Sequence, residues 1–132
     1  MNKFIIKSVE SDLKLILSDM QGEYFKVQLE SERINAIHEV WAYTDAYEFS
    51  GFMNDLAAQD KPWSGVKSWG SIENDFVLSA KCSSLGQVTF EVELSKFGSS
   101  EEWQVKTHIV SEFGQLPNLA KSAKAFFGAS LS

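Results

Sequence analysis

Apolar and polar residues alternate with a period of two along most of this chain, and the period lengthens to that of a helix in only two places. The clearest alternation lies in the middle. Phe76, Leu78, Ala80 and Cys82 alternate with Val77, Ser79 and Lys81, and Val88, Phe90, Val92 and Leu94 alternate with Gln87, Thr89, Glu91, Glu93 and Ser95. Each run sends one set of side chains to a core and the other to water, as a half-buried strand does. Between them, Ser83-Ser84-Leu85-Gly86 suits a tight reversal, because glycine reaches positive φ without a Cβ clash.

The same reading finds strands at Phe4–Val9, Leu13–Leu17, Tyr24–Glu30 and Ala36–Tyr43, with turns at Glu10-Ser11-Asp12 and Asp19-Met20-Gln21-Gly22. In the fourth of these, Ile37, Glu39, Trp41 and Tyr43 form the more aromatic side and are assigned to the core, with His38, Val40 and Ala42 outside. At Asp45 the period changes. Ala46, Phe49, Met53 and Leu56, with Phe52 and Ala57 beside them, make one helical stripe ending near Gln59. Asp45 and Glu48 have capping-box spacing, and Gly51 inside the helix costs about 1 kcal/mol against alanine, which marks it as a candidate close contact. Trp103, Val105, Thr107 and Ile109 give the last strand. Leu116, Leu119, Ala120, Ala123 and Phe127 give a closing helix that starts at Pro117 and stops at Gly128.

These elements predict an α+β domain with one antiparallel sheet of about seven strands and two helices packed on one face. A short strand at Val66–Ser71 is a candidate addition ahead of the central hairpin, and no internal repeat is visible. The expected core joins Phe76, Leu78, Val88, Phe90, Val92, Leu94, Trp103 and Val105 to Phe49, Met53, Leu119 and Phe127.

Length and composition change this picture little. At 132 residues, with 44% hydrophobic and 13% aromatic content, the chain reads as one domain over residues 1–132 with a substantial core. The absence of a long apolar run and the lone Cys82 predict a cytoplasmic protein without a membrane partner. Charge matters more. Residues 1–60 carry eleven acids against five bases, and residues 61–132 carry seven of each, so the whole net charge of −6 belongs to the first half. A phosphate-backbone binder needs the opposite sign, which argues against nucleic acid; an acidic face is compatible with a basic protein partner, although most acidic faces serve only to keep a protein soluble.

Candidate chemistry is sparse. His38 and His108 lack the companions a metal site requires, no phosphate-binding loop or nucleophile elbow is present, and no cofactor is expected. Ser-His-Asp triads are recognised by geometry, which spacing cannot supply. Two places stand out. In Trp69-Gly70-Ser71-Ile72-Glu73-Asn74-Asp75, a carboxylate at Glu73 held against an indole would work as an acid, with His108 as its candidate second group; the bland alternative is a solvated turn beside packing tryptophans. The other is an acidic, aromatic patch of Glu39, Trp41, Tyr43, Asp45, Tyr47, Glu48 and Asp55, where the bland alternative is a solvated helix face.

Trp63-x-Gly65, Trp69-x-Ser71-x-Glu73, Gly86-x-Val88-x-x-x-Val92-x-Leu94 and Trp103, followed by a hydrophobic closing helix, make residues 63–127 resemble a family of small bacterial proteins known only as a domain of unknown function. The resemblance implies no activity. Size and acidity, by analogy alone, suggest an immunity-type protein that masks a basic partner. The expectation is therefore a non-enzymatic protein-binding domain; the alternative is a small enzyme or small-ligand binder with a pocket near Trp69 and Glu73.

Overall fold

The structure, a computed structural model, describes residues 2–42 and 45–131, with side chains over 2–42 and 48–128. Eight strands and two helices follow one another as β1 (Phe4–Lys7), β2 (Lys14–Gln21), β3 (Tyr24–Glu30), β4 (Asn35–Trp41), α1 (Asp45–Ala57), β5 (Lys67–Gly70), β6 (Phe76–Cys82), β7 (Gln87–Lys96), β8 (Trp103–Glu112) and α2 (Leu116–Leu131). A short 3-10 turn at Phe113–Gln115 leads into α2.

The α+β class holds, but the single sheet does not. The strands form two antiparallel four-stranded sheets, β1-β2-β3-β4 and β5-β6-β7-β8, each in sequence order. Each sheet is a meander followed by a helix, so the order of elements repeats although the residues do not. The helix α1 separates β4 from β5, and no ladder pairs them. The sheets meet instead where the Val9 N–H donates to the Val110 carbonyl at 2.9 Å and the Val110 N–H donates to Ser8 Oγ at 3.2 Å.

One contiguous core fills the space between the sheets and the paired helices. Phe49 of α1 stands at its centre, with ring centroids 5.4 Å from Phe4, 5.0 Å from Trp69, 6.2 Å from Phe76 and 5.4 Å from Phe127. The expected core residues all join it, with Trp103, Val105 and Leu119 at its margin.

Four local expectations change. In β4 the faces are reversed: Val40 and Ala42 are buried, while Ile37 and Glu39 are exposed. Register explains it, since His38 lies opposite Val27 and Val40 opposite Phe25, and cross-strand partners share a face. The strand β2 runs on to Gln21 through a bulge between Ser18 and Gln21, where Asp19 takes φ 52°. Gly51 is exposed with nothing near its missing Cβ, so it marks no close contact. Gly128 continues α2 to Leu131, because its φ is not in the left-handed region that would end the helix. At the central hairpin, by contrast, Gly86 has φ 88° and its N–H closes the turn onto the Ser83 carbonyl at 2.9 Å, as the sequence predicts.

Two substitutions in α1 should move stability in opposite directions. Phe49→Ala empties the centre of the core and should cost about 3–5 kcal/mol, whereas Gly51→Ala should stabilise by about 0.5–1 kcal/mol. Denaturant titration of both variants checks the pair, and a destabilising Gly51→Ala would contradict the open surroundings of that residue.

Candidate functional site

The turn between β5 and β6 is tightly specified. The Ser71 N–H donates to the Phe76 carbonyl at 2.9 Å, the Asn74 N–H to the Ser71 carbonyl at 2.8 Å, and the Phe76 N–H to Ser71 Oγ at 3.1 Å. Asn74 adopts φ 59°, a left-handed conformation that asparagine tolerates better than most residues. Its Oδ1 lies 2.7 Å from where a Cβ on Gly70 would sit, so any larger residue there would have to push the Asn74 amide aside.

This turn aims Asp75 inward. Its residue is only 8% exposed, its Oδ1 accepts from Ser71 Oγ at 2.6 Å, and its Oδ2 accepts from His38 Nε2 at 2.7 Å. The Asp75 carbonyl also accepts from the Ser95 N–H at 2.8 Å, which ties the turn to β7. A carboxylate removed from water needs such partners, and this one draws them from both halves of the chain. The His38 ring meets Trp103 edge-on, with centroids 5.8 Å apart.

Beside His38 lies a groove of about 450 Å³ lined by Asp19, Lys26, Ile37, Glu39, Lys96 and Trp103, together with Gln21 and His38. It is bounded by β4 on one side and by the ends of β7 and β8 on the other. Among the described residues, the non-glycine residues with positive φ are Asp19 and Asn74. One lines the groove and the other shapes the turn that holds Asp75, which is where stored backbone strain tends to collect around functional sites.

The wiring is not that of a hydrolytic triad. Serine, aspartate and histidine are joined, but Asp75 is in the middle and Ser71 is not bonded to His38. Ser71 therefore donates to a carboxylate and not to an imidazole, and the chain of bonds orients the imidazole. Because a carboxylate only accepts, the Nε2 atom of His38 is the donor in this bond, and Nδ1 is the nitrogen that would carry the lone pair in a neutral ring. Cys82 is a poor nucleophile too, since burial pushes its thiol up from its ordinary pKa.

The residues singled out from the sequence fall elsewhere. Trp69 is buried against Phe49 and Phe76, and its Nε1 has no hydrogen-bond partner among the described residues. Glu73 is exposed in the β5–β6 turn. His108 bonds Glu91 at 3.2 Å on the outer face of the second sheet, and no hydrogen bond or ion pair joins it to Glu73. The predicted acidic patch divides. Glu39 and half-buried Trp41 belong to the outer face of the first sheet, while Glu48 and Asp55 project from α1, which packs its apolar stripe into the core from the inner side. Tyr43 and the side chains of Asp45 and Tyr47 lie outside the described residues. Among the described residues no group of three ligating side chains could hold a metal, and no helix is long and apolar enough to cross a membrane.

Asp75 and the role of His38 escaped sequence reasoning for one shared reason. Alternation places Asp75 outward of Phe76, and the aromatic bias of β4 placed His38 outside. The available signal was the Gly-Ser-x-x-Asn-Asp run itself, whose residue types are those of a hydrogen-bonded, left-handed turn.

The model of a family of unknown function, DUF6228, matches residues 8–130. The chain belongs to this family. The DUF6228 match takes in the second sheet, β2–β4 of the first and every residue of the groove, so the family extends well beyond the 63–127 segment that carries the tryptophan spacing. No curated protein and no solved structure matches the chain.

The His38–Asp75 contact should show up as coupling. In a double-mutant cycle of His38→Ala and Asp75→Ala, unfolding in denaturant should give an interaction energy of about 1–3 kcal/mol. The lower half of that range is expected, because the two side chains retain 19% and 10% of their exposure. Additive losses would mean that the pair is incidental to the junction.

Proposed function

We propose that this DUF6228 chain is a non-enzymatic binding domain for a protein partner, with a cytoplasmic, immunity-type role that masks a basic protein as its concrete form. The observation that carries this reading is the outer face of the first sheet. Tyr24 and Trp41 lie directly opposite each other there, and Ile37 follows on the same side of β4. Tyr24 is 46% exposed and Ile37 48% exposed, on a face that also carries Lys26, Gln28 and, from β1 and β2, Ile5 and Ile16. Glu23 accepts from Trp41 Nε1 at 2.8 Å and Glu39 stands beside Ile37, so the aromatic anchors are set among carboxylates. Aromatic side chains supply most of the affinity at such surfaces, while the excess acid of residues 1–60 steers a basic partner toward it. The split between Glu39 and the helix α1 acids narrows the proposed contact to the sheet face; Glu48 and Asp55 contribute only to the long-range field.

The test starts by passing proteins of the chain's own cell over the immobilised domain, and then measures binding of the purified partner. Tyr24→Ala and Ile37→Ser should each weaken binding about 5–30-fold without lowering the melting temperature. Raising salt from about 0.05 to 0.5 M should slow association, because the screening length falls below the separation of the charges. A captured protein that binds both variants as tightly as the parent, or whose association ignores salt, would refute this surface as the docking site.

A further inference from the structure

The groove beside His38 carries an inference that does not depend on the docking face. Two of its charges cancel, since Lys26 and Asp19 form an ion pair at 3.2 Å. Lys96 and Glu39 have no ion-pair partner among the described residues; Lys96 is half-buried and Glu39 exposed. A charge partly withdrawn from water keeps more of its field than one surrounded by water, so Lys96 sets the sign inside the groove. His38 supplies the second element. Its Nε2–H is committed to Asp75, and Nδ1, which carries the lone pair of the neutral ring, has no hydrogen-bond partner among the described residues and is not sealed from water by them. That lone pair is therefore open to solvent, in a ring whose tilt and tautomer are held by Asp75 and Ser71. Trp103 and Ile37 add apolar wall. A concave volume of about 450 Å³ with a few oriented polar groups has the dimensions of a small-molecule site.

We propose that this groove binds a small organic anion that carries a hydroxyl or N–H donor next to its anionic group. The anion pairs with the Lys96 ammonium and the donor bonds His38 Nδ1. Asp75 and Ser71 are positioning residues, which act on the ligand only through the imidazole. The outer wall of Trp103 excludes water from one side of the ligand, which strengthens both contacts.

Glycolate is the smallest probe with both features, and acetate has the charge without the donor. The experiment follows the imidazole nitrogens of the ¹⁵N-labelled chain by NMR during titration with each acid at constant ionic strength. His38 and His108 are the chain's two histidines, so His108, bound to Glu91 on the far face, is an internal reference. Glycolate should shift the His38 Nδ1 signal saturably, with a dissociation constant of about 1–10 mM, and should leave His108 unmoved. Acetate should bind at least about fivefold more weakly, and Lys96→Met should weaken glycolate about tenfold with an unchanged melting temperature. Asp75→Asn, which removes the charge that holds the tautomer, should weaken glycolate while leaving Lys96 in place. The proposal is overturned if His38 shows no saturable shift, if His108 moves in parallel, if acetate binds as well as glycolate, or if Lys96→Met changes nothing. These outcomes are independent of whether the sheet face docks a protein.

Discussion

The fold depends on the aromatic packing around Phe49. A single ring from α1 touches Phe4 of the first sheet, Trp69 and Phe76 of the second, and Phe127 of the other helix. Each four-stranded meander with its helix is about half the chain, a size at which a core of its own is marginal. Phe49 makes the two faces into one interior. Edge-on contacts such as those with Phe4 and Trp69 add directional preference to the area buried, so the halves are held at one relative orientation.

That fixed orientation creates the site. Asp75 reaches its place from the second half and His38 from the first, and the groove has walls from both. The pair is an answer to a local electrostatic problem, since a carboxylate with so little exposure must be bonded at both oxygens. Solving that problem with a histidine places the imidazole in the lining of a groove it shares with Lys96, which has no ion-pair partner among the described residues. A structural tie alone would not require either feature.

Charge and shape serve different ranges. The acid excess of the first sixty residues acts over roughly a screening length and has little geometric detail. Tyr24, Ile37 and the groove act only at contact. The two proposed sites share β4: its outward Ile37 and Glu39 border both the sheet face and the groove, and its inward His38 belongs to the groove alone.

Periodicity alone determined most of the strands, both helices and the central hairpin, because a residue's tendency to face water or core is a local property of its own side chain. It also determined that β6 and β7 bury Phe76, Leu78, Phe90 and Val92. What it left open was decided by contacts between distant segments. Whether β4 and β5 pair is a matter of where α1 carries the chain, and the structure places them in separate sheets. The face of β4 was settled by its register against Phe25 and Val27, which overrode the aromatic bias of its own residues. The site was the least legible part. Asp75 reads as a surface acid in a polar turn until His38, 37 positions away, comes within 2.7 Å, and no local pattern encodes a distance set by the packing of two halves.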